Sequence, residues 1–509
     1  MDLLFELNIT PAPKGSRDIS SNLYRQLKSA ILAGRLRSGS RLPSTRNASF
    51  ALGVSRNTAQ DVYERLAHDG LVVARHGSGT FVSAPLRKAK ARPDNDIFGK
   101  CDGRISEFWT GQDVSDWIGF WRESRGAGTS DEPRVELRPA IIDPKLFPHA
   151  MFRQVMARQL RRLETRPTSF KSPQGNQGNH QLRKAIADHI ALTRAVACVP
   201  EDVVVTSGAQ QAFDLIARTL VKAGETVVAV EDPGYPPMRV PFAAAGAKLV
   251  PVRVDREGIL VDEIPADASI ICVCPSHQFP LGMSMSPARR KALVAFAAKA
   301  GAVIVEDDYD GEFRYDGSPL EALRSGSPSD PVFYVGSFSK CMFPSLRLGF
   351  LVPPRWAIQS LVAAKNCTDW HCSIPLQMAV ASFVRDGHLA RHVRRLRRLY
   401  RERRRHISNL LDTHLGGVVD LVPSFYGMHV AAVARTELDC ESISEALSRR
   451  GVMIHSLDRY FLGPKTASGF VISYAAADPA ALDLAVDALA EEISRASVRG
   501  GAEKRSQAW

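Results

Sequence analysis

The sequence predicts a multidomain chain: an N-terminal winged helix-turn-helix (α+β) joined to a larger α/β domain on a mostly parallel sheet. Three observations carry this. Residues 17–83 show helix, helix, glycine turn, helix and then two short β-branched runs; residues 203–352 hold seven Val/Ile-rich runs; and the net charge of +12 is concentrated at the N-terminus. A chain of 509 residues also exceeds the ~250–300 at which single hydrophobic cores stop growing.

Leu23, Leu27, Ala30 and Ile31 fall at i, i+4, i+7, i+8 spacing and line one face of a helix over 20–36, with Ser20 as its cap. A second helix is expected from Ser44 to about Leu52. Gly53 then supplies a turn, Ser55 a cap, and Arg56 to about Asp69 a third helix with Ala59, Val62, Tyr63 and Leu66 inward. LVVAR and GTFVS, joined by His-Gly-Ser, read as a hairpin, the wing. Residues 84–135 are basic, then turn-rich, and read as a linker whose Trp109, Trp117 and Trp121 dock onto the large domain.

From 136 to 497 short apolar runs alternate with helical ones. VVVTS, TVVAV, KLVPV, SIICVC, AVIVED, VFYVGS and LGFLV, between 203 and 352, are strand candidates. Near-continuous Val/Ile runs imply burial on both faces, hence a parallel sheet flanked by helices. The large part spans about 136–370. A smaller part over about 371–497 carries helices at 376–415, 441–450 and 479–496, and the tail at 498–509 is expected to be disordered.

Residues 1–100 carry 16 Lys/Arg against 8 Asp/Glu, a net of +8, so the N-terminal part is the one expected to meet a polyanion. The eight cysteines form no Cys-x-x-Cys pair, which points to neither a zinc site nor a disulfide scaffold, so no metal is expected and a reducing cytoplasm fits. The longest apolar stretch, ALVAFAAKAGAVIV, is broken by Lys299, and no signal peptide or membrane span is expected.

In a parallel α/β sheet, ligands bind at the carboxyl ends of the strands. After VVVT, Ser207 and Gly208 lead into a helix whose first N–H groups suit a phosphate. Asp307 and Tyr309 close one strand, and Lys340 and Arg347 follow another. A lysine there can form a Schiff base, a carboxylate can keep a pyridine nitrogen protonated, and an arginine can grip phosphate. Each residue alone also reads as a loop lysine, a helix cap or a surface ion pair; together at one sheet edge they read as a site. In RHVRRLRRLYRERRRHI, nine arginines and one glutamate lie between 391 and 405, and a solvated face outweighs an accessory DNA surface as the reading.

RLPSTR, GVSRNT, YERL and HGSGTFV resemble the GntR-type winged helix, and TSGAQQAFDL, EDPGYP, CPSHQFPLG, VEDDYDGEFRY and SFSKCMFPSLRLGF resemble fold type I aminotransferases. In that order they resemble the MocR-like subfamily of GntR-type transcriptional regulators. The resemblance implies pyridoxal 5'-phosphate (PLP) on Lys340, with sensing rather than turnover. It also implies Asp307 at the pyridine nitrogen, Tyr309 near the phenolic oxygen and Tyr235 stacked on the ring. Ser207, Gly208, Ala209, Gln210, Ser337, Ser339 and Arg347 would surround the phosphate, and His277 and Gln278 replace an enzyme Asn-Pro. Double-stranded operator DNA would meet Arg46, Ser55, Arg56, Asn57, Thr58 and Gln60, with His76 and Gly77 at the wing tip. A domain-swapped homodimer and a small amino-compound effector complete the expectation.

Two residues depart from that pattern. Pro173 stands where relatives carry a tyrosine directed at the partner's phosphate, and Val471 stands about where aminotransferases carry a carboxylate-binding arginine. Either Arg239, Arg459 or Lys465 substitutes for that arginine, or the effector is an ω-amino acid, amine or amino sugar derivative. A working aminotransferase with an accessory DNA-binding domain, and a regulator that senses PLP itself, are the rival readings.

Overall fold

The computed structural model describes residues 19–75, 78–83, 107–110, 135–165, 176–315, 320–326 and 331–506. The chain divides into two compact units, Met1–Asp102 and Gly103–Trp509.

In the first unit, helices α1 (Ile19–Leu32), α2 (Thr45–Leu52) and α3 (Arg56–His68) precede the antiparallel hairpin β1 (Val72–Arg75) and β2 (Gly79–Val82). All eight expected inward residues of α1 and α3 are buried in one apolar cluster. Ser44 caps α2 by accepting from the Asn47 amide, and Gly53 ends it in the left-handed conformation, φ 63°. Ser55 caps α3 in the same way through the Thr58 amide at 3.0 Å. Ser20 differs from expectation: α1 begins before it, and its hydroxyl binds Asp61 on α3, so it ties two helices together instead of capping one. The wing-tip residues His76 and Gly77 lie outside the described residues, as does most of 84–134, including Trp117 and Trp121. Trp109 meets Phe108 edge-on at 5.0 Å and remains exposed.

The second unit opens with β3 (Val135–Glu136), α4 (His149–Thr165) and α5 (His180–Arg194). Its large part then runs β4 (Val204–Thr206), α6 (Ala209–Leu220), β5 (Val227–Asp232), α7 (Pro236–Ala244), β6 (Lys248–Asp255), β7 (Gly258–Ile259), β8 (Ala268–Val273), α8 (Pro287–Ala300), β9 (Val303–Asp308), β10 (Val332–Ser337) and β11 (Gly349–Val352). These strands form one sheet in the order β4-β11-β10-β9-β8-β5-β6-β7. All seven expected runs are strands of it. Strands β10, β9, β8, β5 and β6 are parallel, while β11 is antiparallel to both its neighbours and β7 folds back on β6. Strands β5, β8, β9 and β10 are covered on both faces and their interior residues are almost all buried, whereas β6 lies toward the sheet edge and buries only Val252, against the expectation that every such run is covered on both faces.

The remainder comprises α9 (Ile358–Thr368), α10 (Ile374–Arg385), α11 (His388–Leu415), β12 (Val419–Leu421), β13 (His429–Ala434), α12 (Cys440–Arg449), β14 (Val452–Met453), β15 (His455–Ser456), β16 (Gly469–Ser473) and α13 (Pro479–Ser506). The single helix expected over 376–415 is two. Gly387 breaks it at φ 74°, a conformation that a glycine adopts without steric cost and that no α-helix contains. At the other end, the α13 backbone continues helical to Ser506, beyond residue 497 where the ordered domain was expected to stop. Once a helix is nucleated by packed turns, each further residue adds one hydrogen bond, so it can outrun its apolar stripe. Strands β12-β13-β16-β15 form a second sheet, and β3 pairs with β14, bringing residues 135–140 beside the end of β16, where the Ser473 amide donates to the Leu137 carbonyl at 2.7 Å.

Candidate functional site

In the winged helix the expected reading residues lie on α2 and at the start of α3. Arg46, Ser55, Arg56, Asn57 and Gln60 are exposed, and Thr58 is half-buried. Ser55 and Thr58 are engaged in the cap, their hydroxyls 2.8 Å apart, and the Gln60 amide donates to Glu64 at 3.0 Å. Arg56 and Asn57 thus occupy the exposed first turn of a capped helix, where N–H groups and a guanidinium favour an anion. Sequence reasoning passed over Arg41 and Arg75 at the base of the wing: Arg41 bridges to Phe81, and the Arg75 guanidinium lies 5.1 Å from the Phe81 ring.

At the large sheet, the carboxyl ends of five strands bring the other expected residues together. Ser207 and Gly208 join β4 to α6. Tyr235 follows β5, His277 follows β8, Asp307 sits at the end of β9, and Ser337, Ser339 and Lys340 lie at the end of β10 and just beyond it. Arg347 reaches the same edge from the 3-10 turn Pro344–Leu346 in a left-handed conformation, φ 47°. Its guanidinium donates to the Ser207 carbonyl at 3.0 Å.

Gly208 has φ 87° and leads α6 with no side-chain cap, so the first amides of α6 point outward unclaimed by a side chain. A Cβ on Gly208 would sit 3.2 Å from the Arg347 guanidinium, and one on Gly349 would sit 2.9 Å from Gly208 Cα. This close-set backbone with its arginine could hold a phosphate-sized anion. The side chains around it are partly committed: the Gln210 amide donates to Pro237, the Ser337 hydroxyl accepts from the Ser339 amide at 3.1 Å, and the Ser207 amide donates to Gln211 at 2.7 Å. Ala209 and Gln210 therefore offer backbone rather than side chains.

Lys340 Nζ donates to the Ala140 carbonyl at 2.6 Å. Burial lowers its pKa to about 8, against the opposing pull of Asp310 and Asp307, so the amine gives up its proton at a lower pH than a solvated lysine does. Asp307 is 3% exposed, and its Oδ1 has no hydrogen-bond partner. Burial, reinforced by Asp308 and Asp310, raises its pKa to about 8. A buried carboxyl oxygen lacking a donor is costly unless a cationic N–H completes it, which a protonated pyridine nitrogen does.

His277 lies deeper. Its Nδ1 is 2.7 Å from the Tyr309 hydroxyl and 2.8 Å from Asp310 Oδ2, and Nε2 has no partner. Burial, together with Arg404, pushes its pKa down to about 3, so the ring is neutral. Gly427, φ 89°, is required beside it, since a Cβ there would fall 1.9 Å from His277 Cε1. His429 stands 4.9 Å away ring to ring; its Nε2 lies 2.9 Å from the Pro280 carbonyl, which can only accept, so that nitrogen carries the proton. Tyr235 meets Phe279 edge-on at 5.1 Å, and Phe279 meets Tyr309 at 5.6 Å, giving the site an aromatic wall. Beneath it Arg194 binds Asp308 at 2.6 Å, the Leu320 carbonyl at 3.1 Å and the Ser276 hydroxyl, fixing the β9 end to the loop that carries His277.

Asp310, Arg194, Gly427 and the Ala140 carbonyl were not singled out from sequence. Asp310 was legible as the last acid of DDYD, whereas a backbone carbonyl 200 residues from Lys340 has no sequence signal. Val471 is fully buried in an apolar cluster. Of the cations weighed as substitutes, Arg459 binds Glu441 at 3.0 Å, Lys465 binds Asp458 at 2.7 Å, and Arg239 lies 3.4 Å from the Tyr460 carbonyl. Pro173 lies outside the described residues. Among the described residues, no cluster of His, Cys, Asp or Glu is arranged to hold a metal, and no helix is long and apolar enough to cross a membrane.

Comparison with known proteins agrees with both regions. Residues 19–82 match the bacterial regulatory proteins of the gntR family, and residues 146–489 match aminotransferase class I and II. The probable rhizopine catabolism regulatory protein MocR of Rhizobium meliloti is 34% identical over 471 residues, 92% of each chain. The pyridoxine biosynthesis regulator PdxR of Corynebacterium glutamicum is 30% identical, covering 97% of this chain and 100% of its own. Among solved structures, the α-aminoadipate aminotransferase LysN of Thermus thermophilus, complexed with N-(5'-phosphopyridoxyl)-L-leucine, aligns with TM-score 0.64 and 27% identity over 71% of this chain and 92% of its own. Aminotransferases of this fold are in general PLP-dependent. A winged helix of the GntR type and a class I and II aminotransferase-like domain in one chain make this protein a member of the MocR-type GntR transcriptional regulators.

Proposed function

We propose that the large unit holds PLP at Lys340 and uses it to sense a small primary amine, altering the affinity of the winged helix for duplex DNA. The observation that carries this reading is the convergence at one sheet edge of a lysine with a lowered pKa, a buried carboxyl oxygen lacking a donor, and a glycine-arginine anion cradle. Lys340 would hold the aldehyde carbon, Asp307 the pyridine nitrogen, and Arg347 with the first amides of α6 the phosphate. When bound, PLP supplies an electrophilic carbon that condenses with primary amines and a ring that withdraws electrons from it.

The chain's own residues prepare that exchange. Ala140 holds the Lys340 amine by its carbonyl, Tyr309 and His277 share a hydrogen bond, and Tyr235, Phe279 and the buried Val471 belong to one apolar cluster. Arg459 and Lys465 are already ion-paired, Arg239 is turned to the Tyr460 carbonyl and Val471 offers no charge, which favours an effector without an α-carboxylate.

Mixing the purified full-length protein with PLP should produce a visible absorption band, and borohydride should fix the cofactor to the peptide containing Lys340. Lys340→Ala should lose both. A band that survives in Lys340→Ala, with the label elsewhere, overturns the assignment, and amines that change the band without changing DNA affinity overturn the sensing role.

A further inference from the structure

Helix α11 carries nine arginines between residues 391 and 405, and the structure sorts them into two groups. Three hold the fold together: Arg397 donates to the Glu312 carbonyl, Arg401 to the Tyr315 carbonyl, and the buried Arg403 to Ala475 at 2.6 Å. Arg404 is half-buried. Arg391 is exposed and reaches back to His388 at 2.7 Å. Arg394, Arg395, Arg398 and Arg405 are exposed, and none of the four enters an ion pair or hydrogen bond among the described residues.

Their placement is linear. At about 100° per residue, Arg391, Arg394, Arg395, Arg398, Arg401 and Arg405 fall within an arc of about 120° opposite the buried Val393, Leu396, Tyr400 and Ile407. The stripe is about 21 Å long at 1.5 Å per residue. Glu402 is the single acid along it.

A merely solvated face does not account for this pattern. Like charges at i and i+4, as in Arg391/Arg395, Arg394/Arg398 and Arg401/Arg405, destabilise a helix, whereas alternating signs stabilise it. The other long helix of the same unit, α13, does alternate: Arg495 pairs with Glu492 at 2.6 Å and with Glu491 at 3.7 Å. The α11 stripe therefore carries an electrostatic cost that a polyanion would relieve. Duplex DNA presents one negative charge per ~1.7 Å of its axis, and a guanidinium fork matches phosphate geometry.

We propose that the Arg394, Arg395, Arg398 and Arg405 face of α11 is a second, sequence-independent contact for the phosphate backbone of duplex DNA, separate from the winged helix. It gives the aminotransferase-like unit its own hold on DNA, and it does not depend on the cofactor reading above.

The test uses the full-length protein and a duplex of arbitrary sequence about 60 base pairs long, with affinity measured by fluorescence anisotropy between about 50 and 200 mM salt. In R394Q/R398Q/R405Q, the slope of log affinity against log salt should become shallower by about 2 to 3, at roughly 0.9 for each phosphate no longer neutralised. Glutamine is nearly as good a helix former as arginine, so α11 should stay intact, which circular dichroism checks. R394K/R398K/R405K should restore most of the slope. A control, R256Q/K291Q/K299Q, removes the same charge from other exposed positions and should change the slope by less than about 1. An unchanged slope in the stripe variant, or an equal change in the control, overturns the proposal.

Discussion

In the winged helix, the expected DNA-facing residues that the structure describes fall between Arg46 and Gln60 on two short helices and their caps, all at or near the surface. At the large sheet, Ser207, Tyr235, His277, Asp307 and Lys340 arrive from five separate strand ends, and the contacts of Lys340 and His277 involve groups as distant as Ala140 and Gly427. Helix geometry and capping suffice to display Arg56 and Asn57. Nothing local lowers the pKa of Lys340 or leaves Asp307 Oδ1 without a donor; burial by the whole unit does so. A surface that reads a rigid polyanion can be written in one stretch of chain, whereas a site that must desolvate charges needs many.

The largest expected effect breaks the tertiary side of this contrast. Arg194→Met should leave the Asp308 carboxylate buried without its cation and cost about 3–5 kcal/mol, read as a lowered urea midpoint for the large unit. It should also disturb the His277 loop by removing the hydrogen bond to Ser276. A cost below about 1 kcal/mol would show that this site is held as locally as the winged helix.

A second measurement sharpens the contrast through protonation. Lys340 must be neutral to attack a carbonyl, and its pKa is lowered from 10.5 to about 8, so the reactive form appears as pH rises through about 8. The rate at which the visible band grows after PLP is added should therefore rise with pH around a midpoint near 8. A midpoint near 10.5 would place Lys340 in an environment no different from a solvated lysine.

The smallest effect tests the local side. Gly53 ends α2 at φ 63° with open space where a Cβ would stand, so Gly53→Ala should cost only the left-handed backbone penalty, about 1 kcal/mol. Hydrogen exchange in the α2 amides of the full-length protein would report it. A loss above about 3 kcal/mol would mean that tertiary packing, and not the cap, positions α3.

Much of this was legible in the residues themselves. Apolar spacing located α1 and α3, and near-continuous Val/Ile runs located all seven expected strands, because apolar patterning records which residues are buried. The strand-end position of Lys340, Asp307 and Arg347 followed from strand order along the chain and the habit of parallel sheets. Ser20 departs from its expected role because Ser before an apolar stripe looks the same whether it caps its own helix or binds Asp61 across to another. The break at Gly387 was not legible because a lone glycine inside a helical pattern does not announce its φ angle.

The sequence by itself determined the two-part architecture, the exposed face of the winged helix around Arg56 and Asn57, and the charged and nucleophilic residues available at the sheet edge, since each follows from local spacing and side-chain type. Only the tertiary structure decided that His277 lies between Tyr309 and Asp310 and is packed against Gly427, and that Arg194 fastens β9 to the His277 loop. It also decided which α11 arginines serve the fold and which remain exposed. The physical reason is that desolvation and hydrogen-bond partnership are properties of a site's whole surroundings, contributed by segments up to two hundred residues apart, and no window of sequence contains them.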